Sequence, residues 1–222
     1  MGHIADEIRR LHATLPEGVS LVAVSKFHPV EALREAYDAG QRLFGESRVQ
    51  ELTAKQAELP DDIAWHFIGH VQTNKLKQLI GRTSLIESVD SERLLDMIDR
   101  LSEERGVVTR ILMQVHVAAE TTKTGFTPDE LRDYFRYRRF ERLRATHICG
   151  IMGMATNTDD RERIRADFRA IADLRREILE MCPDMRGFDT VSMGMSDDYP
   201  IAIEEGATLV RIGTDIFGPR QY

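Results

Sequence analysis

The segment Leu21-Val-Ala-Val-Ser-Lys26, followed by a helical pattern that Pro29 begins and Gly40 ends, carries the strongest information about the architecture. The apolar run 21–24 is too short for a helix and has the uniform apolar character of a strand that is buried on both faces. Such strands belong to parallel sheets, in which helices connect one strand to the next. We therefore interpret this segment as one strand–helix unit of an α/β fold.

The same unit recurs along the chain without a linker-like or low-complexity stretch between repeats. The predicted strands are 21–24, 42–44, 65–68, 85–86, 110–115, 146–149, 190–192 and 208–211. Eight such units favour a (β/α)₈ TIM barrel, which a helical pattern through Ile4, Ile8 and Leu11 precedes. The prediction is a single domain over residues 1–222. A doubly wound open sheet shows the same alternation, and periodicity alone does not exclude it.

The composition excludes several classes of partner. Of the 222 residues, 30 are Lys or Arg and 37 are Asp or Glu, giving a net charge of −7, which is unfavourable for binding nucleic acid or anionic lipid. Cys149 and Cys182 lie outside any disulfide or zinc pattern, and the polar N-terminus does not have the pattern of a secretory signal. No apolar run is long enough to span a membrane. We expect a cytoplasmic protein that acts on neither nucleic acid nor membranes.

Lys26 and Arg211 lie at ends of predicted strands, where parallel β/α barrels carry their functional side chains. An amine that is desolvated in the mouth of a barrel loses its proton more readily and can attack an aldehyde. The alternative for Lys26 is exposure to water, which is the usual state of lysine. For Arg211, the spacing fits a ligand contact and a structural ion pair equally well.

The C-terminal run Val210-Arg-Ile-Gly-Thr-Asp-Ile-Phe-Gly218 contains a candidate phosphate site. Gly213 lets the backbone approach an anion closely, and Thr214 adds a hydroxyl donor. Ser192 lies on the loop after the seventh strand, and barrel phosphate sites form from the loops after strands seven and eight. The alternative is an ordinary tight turn. No metal site is predicted, because His66 and His70 have helical ligand spacing but lie on a strand and its loop.

The chain resembles a known family in runs that cover nearly its whole length. These runs are Ala23-Val-Ser-Lys26, Phe44-Gly-Glu46, Val49-Gln-Glu51, Trp65-His-Phe-Ile-Gly-His70, Gln72-Thr-Asn-Lys75, Ser88-Val-Asp-Ser91, Glu120 with Lys123-Thr-Gly125, Gly150-Ile-Met152, Ser192-Met-Gly-Met-Ser196, Gly206-Ala-Thr-Leu-Val-Arg-Ile-Gly-Thr214 and Ile216-Phe-Gly218. They resemble the pyridoxal phosphate homeostasis proteins, whose barrel is similar to the N-terminal domain of alanine racemase.

The resemblance implies a cofactor and a role for each site residue. The cofactor is pyridoxal 5′-phosphate (PLP), and Lys26 matches the lysine that carries it as a Schiff base. Ser192, Gly213 and Thr214 match phosphate-binding positions, and Arg211 matches the arginine that faces the pyridine nitrogen.

Three residues depart from the family pattern and leave the lining of the pocket open. Ser47 stands where Asn is common, Glu87 where His is frequent, and His116 where Asn is frequent; all three follow predicted strands. Lys123, beyond the fifth strand, is a weaker candidate for attracting a second phosphate, and its alternative is a solvated loop lysine.

The expected function is to carry or buffer PLP in vitamin B6 homeostasis without efficient catalysis. A guanidinium stays charged and only donates, so Arg211 disfavours protonation of the ring nitrogen and weakens the ring as an electron sink. The acid–base partner of alanine racemase-like enzymes comes from a second domain, which we do not expect here because the sequence stops soon after the eighth strand. PLP enzymes without cofactor are candidate acceptors, and the protein is expected to be a monomer. The alternative function is an amino-acid racemase of low activity.

Overall fold

The fold is a barrel of eight parallel strands, seen in a computed structural model that describes residues 2–120 and 124–219. Its strands are β1 (Ser20–Val24), β2 (Leu43–Glu46), β3 (Ala64–Phe67), β4 (Leu85–Val89), β5 (Thr109–Gln114), β6 (Thr146–Met152), β7 (Thr190–Ser192) and β8 (Leu209–Ile212). The barrel closes where β1 pairs with β8, with Ser20 opposite Leu209. This pairing confirms the TIM barrel and excludes the open doubly wound sheet.

Helices surround the barrel and alternate with its strands. They are α1 (His3–Thr14), α2 (Val30–Asp38), α3 (Val49–Gln56), α4 (Glu92–Arg105), α5 (Pro128–Arg136), α6 (Arg161–Met181), α7 (Tyr199–Glu204) and α8 (Thr214–Phe217). Local sequence sets several of their starts. Ser91 caps α4 by accepting a hydrogen bond from the Leu94 amide, and Thr127 and Glu130 form a capping box on α5. Within the described residues, no helix is both long and apolar enough to cross a membrane.

Side chains alternate between the two sides of each strand, and this alternation separates two kinds of core. The large apolar core lies between strands and helices and includes Ala23 of β1 and Phe67 of β3. Two small clusters lie inside the barrel: Val22 and Val24 with Leu209, and Leu85 with Leu112, Cys149 and Met152. Along each strand, every second side chain therefore points into the barrel, and several of these inward-facing side chains are polar.

The predicted ends of three strands were wrong, because β2, β4 and β6 each run two or three residues further than the apolar pattern indicates. Between β3 and β4 the chain forms a 3₁₀ helix over Thr73–Gln78. Strand β4 runs to Val89 instead of stopping at Ile86, so Glu87 and Ser88 lie within the strand and are buried. The apolar pattern ends at Ile86, but the Ser88 hydroxyl donates to the Gly69 carbonyl and Glu87 finds partners inside the barrel. Periodicity cannot detect polar residues that are compensated in this way.

Candidate functional site

A cavity of about 200 Å³ opens at the carboxyl end of the strands. Its wall brings together Lys26, Arg211, Gly213 and Thr214, four of the five residues that the sequence predicts for the site. Ser192, the fifth, is fully buried and does not line this cavity. Parallel strands all end at the same rim of a barrel, which explains why residues from both ends of the chain meet here.

Lys26 sits in a tight turn directly after β1 and is half-buried. The next residue, Phe27, has a φ of 67°, a left-handed conformation that costs a non-glycine residue roughly 1–2 kcal/mol. Two hydrogen bonds hold the turn. The Phe27 amide donates to Glu51 Oε2 at 2.9 Å, and the His28 amide donates to the Ser25 carbonyl at 3.1 Å. The backbone of the turn that carries Lys26 is therefore held both by a contact with Glu51 of α3 and by a hydrogen bond of its own.

Beneath this turn lies a buried ionic group, the Lys55 cluster, formed by Ser25, Glu46, Glu51 and Lys55. Lys55 Nζ donates to Glu46 Oε1 at 2.7 Å and to the Ser25 carbonyl at 2.9 Å, and the Ser25 hydroxyl donates to the same Glu46 oxygen at 2.7 Å. Burial raises the pKa of Glu46, and the charge of Lys55 opposes that rise. The cluster thus ties helix α3 to the residue that precedes Lys26.

The sequence assigned no role to the Lys55 cluster. Phe44-Gly-Glu46 and Val49-Gln-Glu51 appeared only as parts of the family resemblance, and Lys55 lies in none of the matching runs. A usable signal existed, because Glu51 and Lys55 have the i, i+4 spacing of an ion pair on a helix. Nothing in that spacing indicates that Lys55 is buried.

A second buried polar group, the floor cluster, lies inside the barrel below the cavity and consists of His66, Glu87, Ser192 and Arg211. His66 Nδ1 lies 2.6 Å from Glu87 Oε1, and the Ser192 hydroxyl donates to Glu87 Oε2 at 2.5 Å. Arg211 Nη1 donates to Ser192 Oγ at 2.6 Å, and Nη2 donates to the Gly153 carbonyl at 3.1 Å.

Charges compensate one another in the floor cluster. Burial alone would raise the pKa of Glu87, but the hydrogen bond from His66, with the charges of His66 and Arg211, brings it below its ordinary value. Burial lowers the pKa of Arg211, opposed by Glu87 and Asp198. Arg211 is therefore a buried ionic partner, as one of its two sequence interpretations predicts, and it also lies in the cavity wall; its contact with a ligand stays a prediction. Glu87, expected after a strand, is instead the centre of this cluster.

Two glycines lie in the loops that follow β7 and β8, and one of them, Gly213, forms part of the cavity wall. A Cβ on Gly213 would lie 3.2 Å from the Val24 carbonyl oxygen, and Gly194 has a φ of 92° with no room for a Cβ beside Ala202. The Asp215 amide donates to Ser196 Oγ at 3.4 Å, which joins the loops after β7 and β8. These two loops are the ones expected to hold a phosphate. The phosphate role of Ser192 stays a prediction, since its hydroxyl is engaged by Glu87 and Arg211.

The other departures from the family pattern do not line the cavity. Ser47 is half-buried and packs through its backbone against Gly69. His116 donates its amide to the Phe126 carbonyl, and its buried Nε2 has no hydrogen-bond partner among the described residues. Lys123 lies outside the described residues. No group of three or more potential metal ligands occurs in the ranges 2–120 and 124–219.

Comparisons with known proteins agree with this geometry. The model of the family described as "Alanine racemase, N-terminal domain" matches residues 1–221. The pyridoxal phosphate homeostasis protein of Aquifex aeolicus is 40% identical over 207 residues, which cover 91% of this chain and 87% of that protein.

Solved structures of PipY from Synechococcus elongatus, one without PLP and one with PLP bound, superpose with TM-scores of 0.92 and 0.90. Each is 39% identical and covers 97% of this chain and 100% of the PipY chain. The chain therefore belongs to the alanine racemase N-terminal domain family, within the group that includes the pyridoxal phosphate homeostasis proteins.

Proposed function

We propose that this protein binds PLP in the cavity at the barrel mouth and takes part in PLP homeostasis, holding the cofactor covalently on Lys26. The observation that carries the proposal is the convergence of Lys26, Arg211 and the Gly213–Thr214 turn on the wall of one cavity. It is supported by relatives that are named pyridoxal phosphate homeostasis proteins and by the PipY structure that contains PLP.

The residues of the cavity fit each part of the cofactor. The Gly213–Thr214 turn would receive the phosphate, because a glycine there keeps the space beside Val24 open and Thr214 supplies a hydroxyl. Arg211, a buried cation at the wall, would donate to the ring nitrogen. PLP supplies an aldehyde conjugated to a heteroaromatic ring, and the amine of Lys26 would condense with it.

An arginine that faces the ring nitrogen would favour a carrying or buffering role, although racemases can also work with an arginine there. Arg211 keeps its proton and only donates, so it does not stabilise a protonated ring, which is the stronger electron sink. Low racemase activity is the second candidate, and one observation favours it. His28 places a titratable ring in the same wall as Lys26. Chiral analysis of D- and L-amino acids after incubation with wild type and His28→Phe separates the two functions.

The decisive experiment traps the cofactor on the protein. We expect borohydride reduction of PLP-treated protein, followed by peptide mass mapping, to place a pyridoxyl group on Lys26. Lys26→Ala should lose the visible absorbance of bound PLP, while Lys77→Ala, which removes an exposed lysine, should keep it. Labelling of another lysine in wild type, or an unchanged spectrum in Lys26→Ala, would overturn the assignment.

The cellular compartment, the acceptor proteins and the oligomeric state are also part of the proposal. Both cysteines are free and buried, which is compatible with a reducing cytoplasm. PLP enzymes lacking their cofactor are the proposed acceptors, and the monomer is the proposed working unit. Light scattering of the purified protein, with a chain mass of 25.4 kDa, measures the oligomeric state directly.

A further inference from the structure

Glu87 is the central residue of the floor cluster, and both of its carboxylate oxygens are occupied. Oε1 lies 2.6 Å from His66 Nδ1, and Oε2 accepts from the Ser192 hydroxyl at 2.5 Å. An ionised carboxylate only accepts hydrogen bonds, so Nδ1 of His66 must carry a hydrogen and the hydroxyl of Ser192 must point its hydrogen at Glu87. The lone pairs of the Ser192 oxygen are then directed away from Glu87.

Arg211 uses the acceptor that Glu87 orients. Its Nη1 donates to Ser192 Oγ at 2.6 Å and lies 3.9 Å from Glu87 Oε2. The Arg211 side chain is 5% exposed, so its charge depends on nearby carboxylates for compensation. Asp198 is the other carboxylate whose charge acts on it. The side chain of Arg211, which lines the cavity, is thus held by partners inside the barrel.

We propose that Glu87 is a positioning residue that restrains Arg211, stabilising the ligand-free barrel and lowering its affinity for PLP. This inference rests on the proposed function for its ligand. In the ligand-free protein Arg211 is neutralised by Glu87 and hydrogen-bonded to Ser192. The ring nitrogen of PLP, which the proposed function assigns to Arg211, must therefore accept a hydrogen bond from a guanidinium that these partners already hold in place.

The Glu87→Gln variant separates this role from a merely structural one. It preserves the shape of the side chain but leaves Arg211 as a buried cation without its nearest countercharge. The ligand-free protein then loses more stability than the PLP complex, in which the ligand supplies negative charge. We expect the melting temperature without ligand to fall and the affinity for PLP to rise about tenfold, equivalent to about 1.4 kcal/mol. A structural role alone would lower the melting temperature without improving affinity.

The experiment measures melting temperature without ligand, and the PLP dissociation constant by absorbance, in four proteins. These are wild type, Glu87→Gln, Arg211→Met and the double variant. If Glu87 acts through Arg211, the Gln substitution should change affinity less than twofold in the Arg211→Met background and should cost little stability there. The control Glu103→Gln removes an exposed carboxylate on the outer surface and should leave the dissociation constant within twofold of wild type.

The results of this experiment test the proposed PLP function and the inference about Glu87 separately. A wild type that does not bind PLP defeats the proposed function, and the stability cycle without ligand still tests the coupling of Glu87 to Arg211. A wild type that binds PLP, with no gain of affinity in Glu87→Gln, defeats the inference alone. If Glu87→Gln does not fold by itself, folded protein from the double variant supports the coupling, and failure to recover it overturns the coupling.

Discussion

Replacing Lys55 by methionine should destabilise the protein severely, although Lys55 lies on a surface helix and outside the cavity. The Lys55 side chain is 7% exposed, its partner Glu46 is fully buried, and the Nζ–Oε1 distance is 2.7 Å. Methionine fills much of the same space but leaves the Glu46 carboxylate buried without a countercharge. Removing one partner of a buried pair costs roughly 3–5 kcal/mol.

This cost is large beside the stability of a typical domain, which is about 5–15 kcal/mol. For a chain of this length it corresponds to a fall in melting temperature of roughly 6–20 °C, at about 2–4 °C per kcal/mol. Urea unfolding followed by circular dichroism gives the free energy of unfolding, and a thermal scan gives the melting temperature. Lys77→Met, which removes an exposed lysine, is the matched control and should change stability by less than about 0.5 kcal/mol.

The double variant Lys55→Met, Glu46→Gln tests the physical reason. Because it removes both charges, it should recover at least half of the stability that Lys55→Met loses. PLP binding should weaken in Lys55→Met, since the Ser25 carbonyl loses the hydrogen bond that steadies the turn before Lys26. A loss below about 1 kcal/mol in Lys55→Met, or a double variant less stable than the single one, would refute the reasoning.

Two further predictions concern acid stability and the loop after β7. The pKa of Glu87 is lower in the folded state than in the unfolded state. The ionised carboxylate therefore contributes its full stabilisation at a pH above the ordinary pKa of about 4.3, and this stabilisation is lost as the pH falls through the lower pKa of the folded state. The stability difference between wild type and Glu87→Gln should therefore shrink as the pH is lowered from 6 to 3 in urea unfolding, and a constant difference would contradict this origin. Gly194→Ala should destabilise the protein by at least about 1–2 kcal/mol, because the backbone has a φ of 92° and the new Cβ would also clash with Ala202. The control is Gly206→Ala, where φ is 97° and the surrounding space is open, so that it measures the backbone cost without the steric clash.

Sequence patterns alone located the strands, most of the helices and the position of Lys26. These features depend on neighbours within a few residues. Four apolar residues in succession identify β1, and the pattern between Pro29 and Gly40 identifies α2. The placing of Lys26, Gly213 and Thr214 on one cavity followed from a single rule, that parallel strands end at the same rim.

Only the tertiary structure decided which polar residues belong inside. Ser192 and Glu87 are 105 residues apart, and Lys55 reaches a carbonyl 30 residues away. The sequence ended β4 at Ile86 and left Glu87 outside, since a charged residue breaks the apolar pattern that marks a strand. Closure of the barrel brings such residues together, and mutual hydrogen bonds and charge pairing then offset the cost of burying them. That compensation exists between separate strands and helices, so no pattern along a single element can contain it.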